Sequence, residues 1–276
     1  MEKKIFIEEV VKEINERGIF AQYAEADKNG VKRHGVTVGE GTVKPNIYLD
    51  SFFDNGLSVC ETADKVIKIA EDNKIDDESK FTSFINDRDY CLANVKVVCS
   101  KANTYPNCIN RQENGITLTM VIVLAEETEQ TATVRVTPQF LDILNVSEDE
   151  LWEIAKANSE KDVVVKGMFE TLQEMMNGET PCFMEEPEQD MMLVVTNNSK
   201  CHGAYAVFTD TAKEEIKKRM NVDEVIIIPS SIHECIVVPH TDEMSMEDIA
   251  NMVKEVNATQ VADEDILSDT PIAMAI

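Results

Sequence analysis

Basic residues are scarce in this sequence. Its 276 residues include 26 Lys and Arg against 52 Asp and Glu, a formal net charge of −26. A surface of this sign repels nucleic acids and anionic membranes at long range. We therefore expect no direct nucleic-acid binding, and a basic protein is the class of partner that the charge favours. Half of the excess of acidic over basic residues lies between Glu126 and Asp190, a stretch with 17 acidic and 4 basic residues.

Long apolar runs are missing too. No stretch approaches the roughly 18 apolar residues of a membrane span, so no membrane association is expected. Glu8 and Glu9 interrupt the first apolar residues, which argues against an export signal. The sequence therefore predicts a cytoplasmic protein and leaves its oligomeric state open.

Paired-cysteine motifs are also absent. The seven cysteines are odd in number, irregular in spacing and without a CxxC pair. Together with the lack of an export signal, this predicts reduced and unpaired thiols. They are Cys60, Cys91, Cys99, Cys108, Cys182, Cys201 and Cys235.

Nucleotide-binding loops do not occur, since the sequence contains neither GxxxxGK[ST] nor GxGxxG. Gly39-Glu40-Gly41 is too short to hold a phosphate. The run Asp263-Glu264-Asp265 lacks the alternation, the glycine and the closing glutamate of an EF-hand loop. No sequence motif therefore indicates a cofactor, a metal ligand or a catalytic residue.

Hydrophobic periodicity predicts an α+β protein with two regions. In residues 1–177, helical spacing indicates a first helix that ends near Gly18, and Asn29-Gly30 indicates a hairpin. Capping boxes at Ser58 and Ser147 predict two further helices. A strand is expected at 45–50, a central strand at 116–124 and its antiparallel partner at 131–136, while 75–112 allow no assignment.

Residues 178–190 combine a glycine, two prolines and five acidic residues, and so predict a linker. Residues 191–276 beyond it predict a ββαββα unit, an antiparallel sheet with its helices on one face. The expected strands are 191–196, 204–209, 225–228 and 235–238, and the expected helices start at Thr211 and after Ser245.

One turn of this unit carries reactive side chains. Ser230, Ser231, His233, Glu234 and Cys235 are the residue types of a hydrolase triad or a thiol nucleophile. A triad, however, needs members that converge from separate segments. The turn alone therefore favours a structural role, in which serine hydroxyls bond to the backbone. The candidate functional turn consists of Ser230, Ser231, His233 and Glu234.

A metal site was the second interpretation of this region. Cys201, His202, His233, Cys235 and His240 are close in sequence, but their spacing matches no zinc pattern. His233 and His240 flank a strand and should lie about 20 Å apart, too far to bind one ion. Cys201-His202 and His233 can still meet, because both are expected in turns between strands.

Three stretches resemble an uncharacterised bacterial family known only as a domain of unknown function: PNIYLDSFF (45–53), IPSSIHECIVVP (228–239) and VNATQVADEDILSD (256–269). The acidic helix SEDELWEIAKANS (147–159) also resembles that family. The resemblance implies a bacterial, intracellular α+β protein with no assigned activity. It brings no catalytic residues with it.

Two functions remain open at this stage. The favoured one is a non-enzymatic module that binds another protein through its acidic surface, with a nucleic-acid mimic as a special case. The alternative is an enzyme whose site is assembled from residues distant in sequence, around the Ser230–Cys235 turn. A pocket with convergent polar groups would favour the enzyme.

Overall fold

The computed structural model describes residues 2–40, 44, 46–73, 83–127, 130–176, 189–241 and 245–276. Helices and antiparallel strands alternate along it, which confirms the α+β class. The chain divides into two compact units, Met1–Ser83 and Phe84–Ile276. Most of the predicted linker at 178–190 lies outside the described residues, so that assignment stays a prediction, and the division by contacts falls elsewhere.

In its described residues, the first unit combines three helices, one of them only five residues long, with a three-stranded sheet. The predicted hairpin is confirmed: Asn29 and Gly30 both have positive φ and join strands that pair along their whole length. The Ser58–Glu61 capping box is also present. In chain order the elements are α1 (Lys3–Glu16), β1 (Ala21–Lys28), β2 (Val31–Val38), β3 (Asn46–Tyr48), α2 (Asp50–Asp54) and α3 (Val59–Asp72).

The second unit begins with a four-stranded antiparallel sheet. Its long strand β6 pairs with three others, which confirms the predicted central strand and its partner β7. Ser147 caps the second helix after the sheet, because its side chain accepts from the Glu150 N–H at 3.2 Å. The elements are α4 (Arg88–Asn94), β4 (Val95–Lys101), β5 (Asn110–Glu113), β6 (Ile116–Glu127), β7 (Gln130–Arg135), α5 (Pro138–Leu144) and α6 (Glu148–Ser159).

A five-stranded antiparallel sheet completes this unit, in the order β12-β10-β11-β9-β8. A 3-10 turn at Glu160–Asp162 leads from α6 into its first strand. The elements are β8 (Val163–Gly167), α7 (Met168–Met175), β9 (Leu193–Asn197), a 3-10 helix (Gly203–Phe208), α8 (Asp210–Met220), β10 (Glu224–Ile228), β11 (Cys235–Pro239), α9 (Met246–Gln260) and β12 (Ile272–Ala275).

The strand predicted at Ala204–Thr209 is wrong, because this segment forms the 3-10 helix. Its β-prone residues are overridden by tertiary packing: Ala204, Tyr205, Ala206 and Val207 are all buried, which a strand with one solvated face would not allow. The helix that follows starts at Asp210 rather than Thr211, with Thr209 as its N-cap.

The helices of the predicted ββαββα unit lie on opposite faces of the sheet, not on one. Val225 and Ile227 belong to the same apolar cluster as α8, whereas Ile226 and Ile228 belong to the cluster of α9. Successive strand residues point to opposite faces, so both faces of β10 are covered. Its unbroken apolar run is typical of such a strand.

Candidate active site

Cys201 lies in the turn between β9 and the 3-10 helix, and Asn197 fixes its position. The Cys201 N–H donates to Asn197 Oδ1 at 3.2 Å, and Asn197 Nδ2 donates to the Cys201 carbonyl at 2.9 Å. The two neighbours, Lys200 and His202, have φ of 55° and 53°. This left-handed conformation is unfavourable for such residues, and strain of this kind concentrates at functional sites.

Gly203 lets this turn approach the strand connection that carries His233. A Cβ at position 203 would lie 2.7 Å from the His233 carbonyl oxygen and would also collide with Thr196 Oγ1. Thr196 Oγ1 donates to the same carbonyl at 2.7 Å. Only glycine therefore allows the Cys201 turn and the His233 turn to pack this closely.

The His233 turn is held between two other segments by backbone hydrogen bonds. The Ala204 N–H donates to the Ile232 carbonyl at 3.2 Å, and the Ile232 N–H donates to the Asp265 carbonyl at 2.8 Å. Ser231 Oγ accepts from the His233 N–H at 3.0 Å. Three segments that are far apart in sequence thus meet at His233.

Their side chains come together at the His233 ring. The ring and the Cys201 thiol are each the main cause of the other's pKa shift, and His233 Nε2 lies 3.2 Å from Asp265 Oδ1. The His202 N–H also donates to His233 Nδ1, at 3.2 Å. A nucleophile, a base and a carboxylate that orients the base are the parts of a nucleophilic catalytic site.

The electrostatics of this arrangement favour an activated thiol. The His233 ring beside the thiol is the main cause that lowers the pKa of Cys201, and its effect outweighs burial. The same interaction, with further support from Asp265, raises the pKa of His233 to about 9 although burial opposes it. The raised pKa of His233 and the lowered pKa of Cys201 both favour transfer of the thiol proton to the ring, and a proton on Nδ1 would displace the His202 N–H from that atom.

A second cysteine beside the same turn behaves in the opposite way. Cys235 is fully buried, and burial raises the pKa of its thiol. Its Sγ lies 3.6 Å from the Ala204 carbonyl. Cys235 is therefore an inert core residue, while Cys201 has the surroundings of a reactive one.

Cys201, whose exposed fraction is 8%, lines a small pocket of about 30 Å³. Thr131 also lines it, and Thr131 Oγ1 lies 3.4 Å from Cys201 Sγ. Valines of β4 and β6 and three charged residues also line the pocket. These are Val97, Val98, Val121 and Val123, with Lys96, Glu126 and Asp162.

Of the candidate functional turn, His233 is the residue whose side chain lowers the pKa of the thiol. Ser231 supports the backbone of His233, and Ser230 accepts the Leu267 N–H through its carbonyl. Glu234 is half-buried, and its negative charge helps to raise the pKa of Cys235. It therefore stays a prediction that Ser230, Ser231, His233 and Glu234 together form a functional turn.

The expected meeting of Cys201-His202 with His233 is confirmed, with the two imidazole rings 5.5 Å apart. Sequence reasoning missed the part of Asp265, which it considered only as an EF-hand residue. A signal was present, because His233 and Asp265 lie in two of the three stretches that carry the family resemblance. His240 instead pairs with Glu224, at 3.3 Å.

Within the described ranges, no group of three or more His, Cys, Asp and Glu is arranged to hold a metal ion. In the same residues, no helix has the length and apolarity needed to cross a bilayer. The six cysteines in the described part of the chain are free thiols, and Cys182 lies outside it.

The model of a protein family, described as a family of unknown function (DUF5688), matches residues 3–272. The chain belongs to this family. The match confirms the resemblance found in the sequence. No curated protein and no solved structure matches the chain significantly. The family assigns no residue a role, so the function must be argued from the geometry.

Proposed function

We propose that this protein is an enzyme that uses the Cys201 thiolate as a nucleophile in acyl transfer or hydrolysis. The observation that carries the proposal is the convergence of Cys201, His233 and Asp265 from three separate segments of one unit. This answers the objection that a single turn cannot form a triad. It develops the alternative of an enzyme assembled from distant residues around the Ser230–Cys235 turn.

The chemistry follows from these positions. The thiolate adds to the carbonyl carbon of an acyl compound, and the bond from that carbon to the leaving group breaks. His233 supplies the proton that the leaving group takes up, and a thioester remains on Cys201. Water, deprotonated by the now neutral His233, cleaves the thioester, and the thiol is regenerated. Asp265 is a positioning residue, since it holds the His233 ring.

The expectation of a non-enzymatic acidic module, with a basic protein partner or as a nucleic-acid mimic, stays a prediction. The acidic composition that motivated it does not conflict with an enzyme. The enzyme proposal also rests on the expected cytoplasmic, reducing environment, because Cys201 must remain a thiol to act as a nucleophile.

The test uses p-nitrophenyl acetate, a small activated ester whose leaving group is coloured. We expect a burst of p-nitrophenolate equal to the protein concentration and an acetyl group on Cys201 in the peptide map. Cys201→Ala should abolish the burst. Cys60→Ala is the matched control, because Cys60 is an exposed thiol in the other unit, and it should leave the burst unchanged.

Two results would overturn the proposal. One is acetylation of Cys60 without acetylation of Cys201. The other is a burst that persists in Cys201→Ala while the melting temperature of that variant stays at the wild-type value. Either would show that the thiol beside His233 is not an activated nucleophile.

A further inference from the structure

A second cavity of this unit is much larger than the pocket beside Cys201. It offers about 500 Å³ of room, against about 30 Å³ beside the thiol, which is enough for a small molecule. β5 contributes Glu113 to its lining, α6 contributes Lys156, and the 3-10 helix contributes Tyr205 and Phe208. The cavity is therefore formed by segments that are distant in sequence.

The hydroxyl of Tyr205 has no hydrogen-bond partner within the part of the chain that the structure describes, although the residue is only 8% exposed. Burial is the main cause that raises the pKa of Tyr205 to about 12. Three carboxylates add to this shift and also line the cavity, those of Glu113, Glu153 and Glu160. The hydroxyl is therefore directed into the cavity. A buried polar group without a partner is costly, so this one points to a ligand.

The charge available in the cavity is negative. Arg111 and Lys156 also line it, but each already has an acidic partner. Arg111 Nη2 lies 3.0 Å from Asp149 Oδ1. Lys156 Nζ lies 3.0 Å from Glu153 Oε1. Glu113, in contrast, has no ion-pair partner in the described ranges, so a cation beside the unpartnered hydroxyl is favoured over an anion.

The carboxylate of Glu160 is held in a fixed position at the wall of the cavity. Its Oε1 accepts from the Asp210 N–H at 3.0 Å, and its Oε2 accepts from the Thr211 N–H at 3.1 Å. A carboxylate oxygen has two lone pairs, so each can accept one further hydrogen bond. The ring of Phe208, with its centroid 6.2 Å from that of Tyr205, adds an aromatic surface that attracts a cation.

We propose that this cavity binds a small primary amine in its ammonium form. The ammonium donates to the hydroxyl oxygen of Tyr205 and to the carboxylates of Glu113 and Glu160. Its three N–H donors match these three acceptors. The site is separate from the proposed reaction centre at Cys201 and does not depend on it.

The test uses n-butylammonium chloride as the probe and the full chain labelled with ¹⁵N. Trp152 is the only tryptophan and lines the cavity, so its indole N–H gives a single separate signal that reports on this site. Butylammonium replaces potassium at constant chloride concentration, which removes the general effect of salt. 1-Butanol and butyrate, with the same carbon chain, are the neutral and anionic comparisons.

We expect a saturable shift of the indole signal with butylammonium, and none with 1-butanol or butyrate over the same concentrations. Tyr205→Phe removes the hydroxyl alone and should raise the dissociation constant roughly tenfold, because a hydrogen bond to a charged group is lost. Its melting temperature should stay at the wild-type value, since the hydroxyl has no partner within the described residues.

Glu113→Gln should raise the dissociation constant roughly fivefold, the effect of one charge at close range. Asp89→Asn is the matched control, because it removes the same charge from an exposed site outside the cavity and should leave the constant unchanged.

Three results would overturn the proposal. The first is the absence of a saturable indole shift in the wild-type protein, and the second is an equal shift with 1-butanol or butyrate. The third is an equal loss of affinity in Glu113→Gln and Asp89→Asn, because the preference would then come from overall charge. Should Tyr205→Phe fail to fold, the pair of carboxylate variants still decides the outcome.

Discussion

Each of the two units contains a histidine beside a carboxylate, yet the two histidines have different settings. His34 of the first unit lies on the regular strand β2, where its Nδ1 is 2.7 Å from the Tyr23 hydroxyl and 3.8 Å from Glu25. Its partners come from the adjacent strand of one hairpin. His233 of the second unit takes its partners, Cys201 and Asp265, from two distant segments.

The two units also differ in how well the residues of their turns suit the backbone conformation. The hairpin of the first unit places Asn29 and Gly30 in the left-handed region, which these residues tolerate well. The turn of the second unit places Lys200 and His202 there, and the lysine tolerates this conformation poorly. The hairpin therefore uses the residues that stability favours. The Cys201 turn keeps an unfavourable backbone, which is expected where the position of a reactive group matters more than stability.

The largest effect expected from this comparison concerns the histidines. His233→Ala should slow acetylation of Cys201 by p-nitrophenyl acetate roughly a hundredfold, because the thiol loses its proton partner. His34→Ala should leave that rate unchanged, since His34 belongs to the other unit. The rates are followed by the acetylated Cys201 peptide. Equal slowing in both variants would remove the distinction between the two histidines.

A smaller effect should follow from Asp265→Asn. Asp265 contributes to the raised pKa of His233, so its removal lowers that pKa and weakens the support that the ring gives to the thiolate. We expect this loss to outweigh the smaller direct effect of the Asp265 charge, which raises the pKa of Cys201. We expect roughly tenfold slower alkylation of Cys201 by iodoacetamide at pH 7, and a rate profile displaced to higher pH. A merely structural Asp265 would lower the melting temperature without displacing the profile.

Stability should depend on pH through His233. Its pKa is about 9 in the folded protein and about 6.5 in an unfolded chain. A raised pKa stabilises fully below the unfolded value, and the contribution is lost as the pH rises through about 9. The melting temperature of wild type should therefore exceed that of His233→Gln by several degrees at pH 6, and the difference should shrink by pH 10. A constant difference would argue against a charged His233.

The smallest effect concerns the turn itself. Lys200→Gly relieves the left-handed strain but adds backbone entropy to the unfolded chain, so the net gain in stability should be under about 1 kcal/mol. Acetylation of Cys201 should slow modestly, because the glycine loosens the turn. Asn29→Gly in the hairpin is the matched control and should not affect that rate. Faster acetylation in Lys200→Gly would show that the strain does not serve the thiol.

The features that sequence predicted correctly are local. The caps at Ser58 and Ser147 and the Asn29-Gly30 hairpin depend on residues within a few positions, whose chemistry is visible in the sequence. The 3-10 helix after Cys201 was missed because it depends on distant packing. The site was missed for the same reason, since Asp265 is 32 residues from His233. The turns predicted that Cys201-His202 and His233 could meet, but they gave no sign that Asp265 joins them.

A bulge in β6 bears on how this family can diversify. Val123 pairs with Thr133, whereas Ala125 pairs with Ala132 and Glu126 with Thr131, so Leu124 is the additional residue. Loss of the codon for Leu124 would remove the bulge, and regular alternation would still place Glu126 on the face of Val123. Relatives that lack this residue could therefore keep the charge of that face, without any substitution at Cys201, His233 or Asp265.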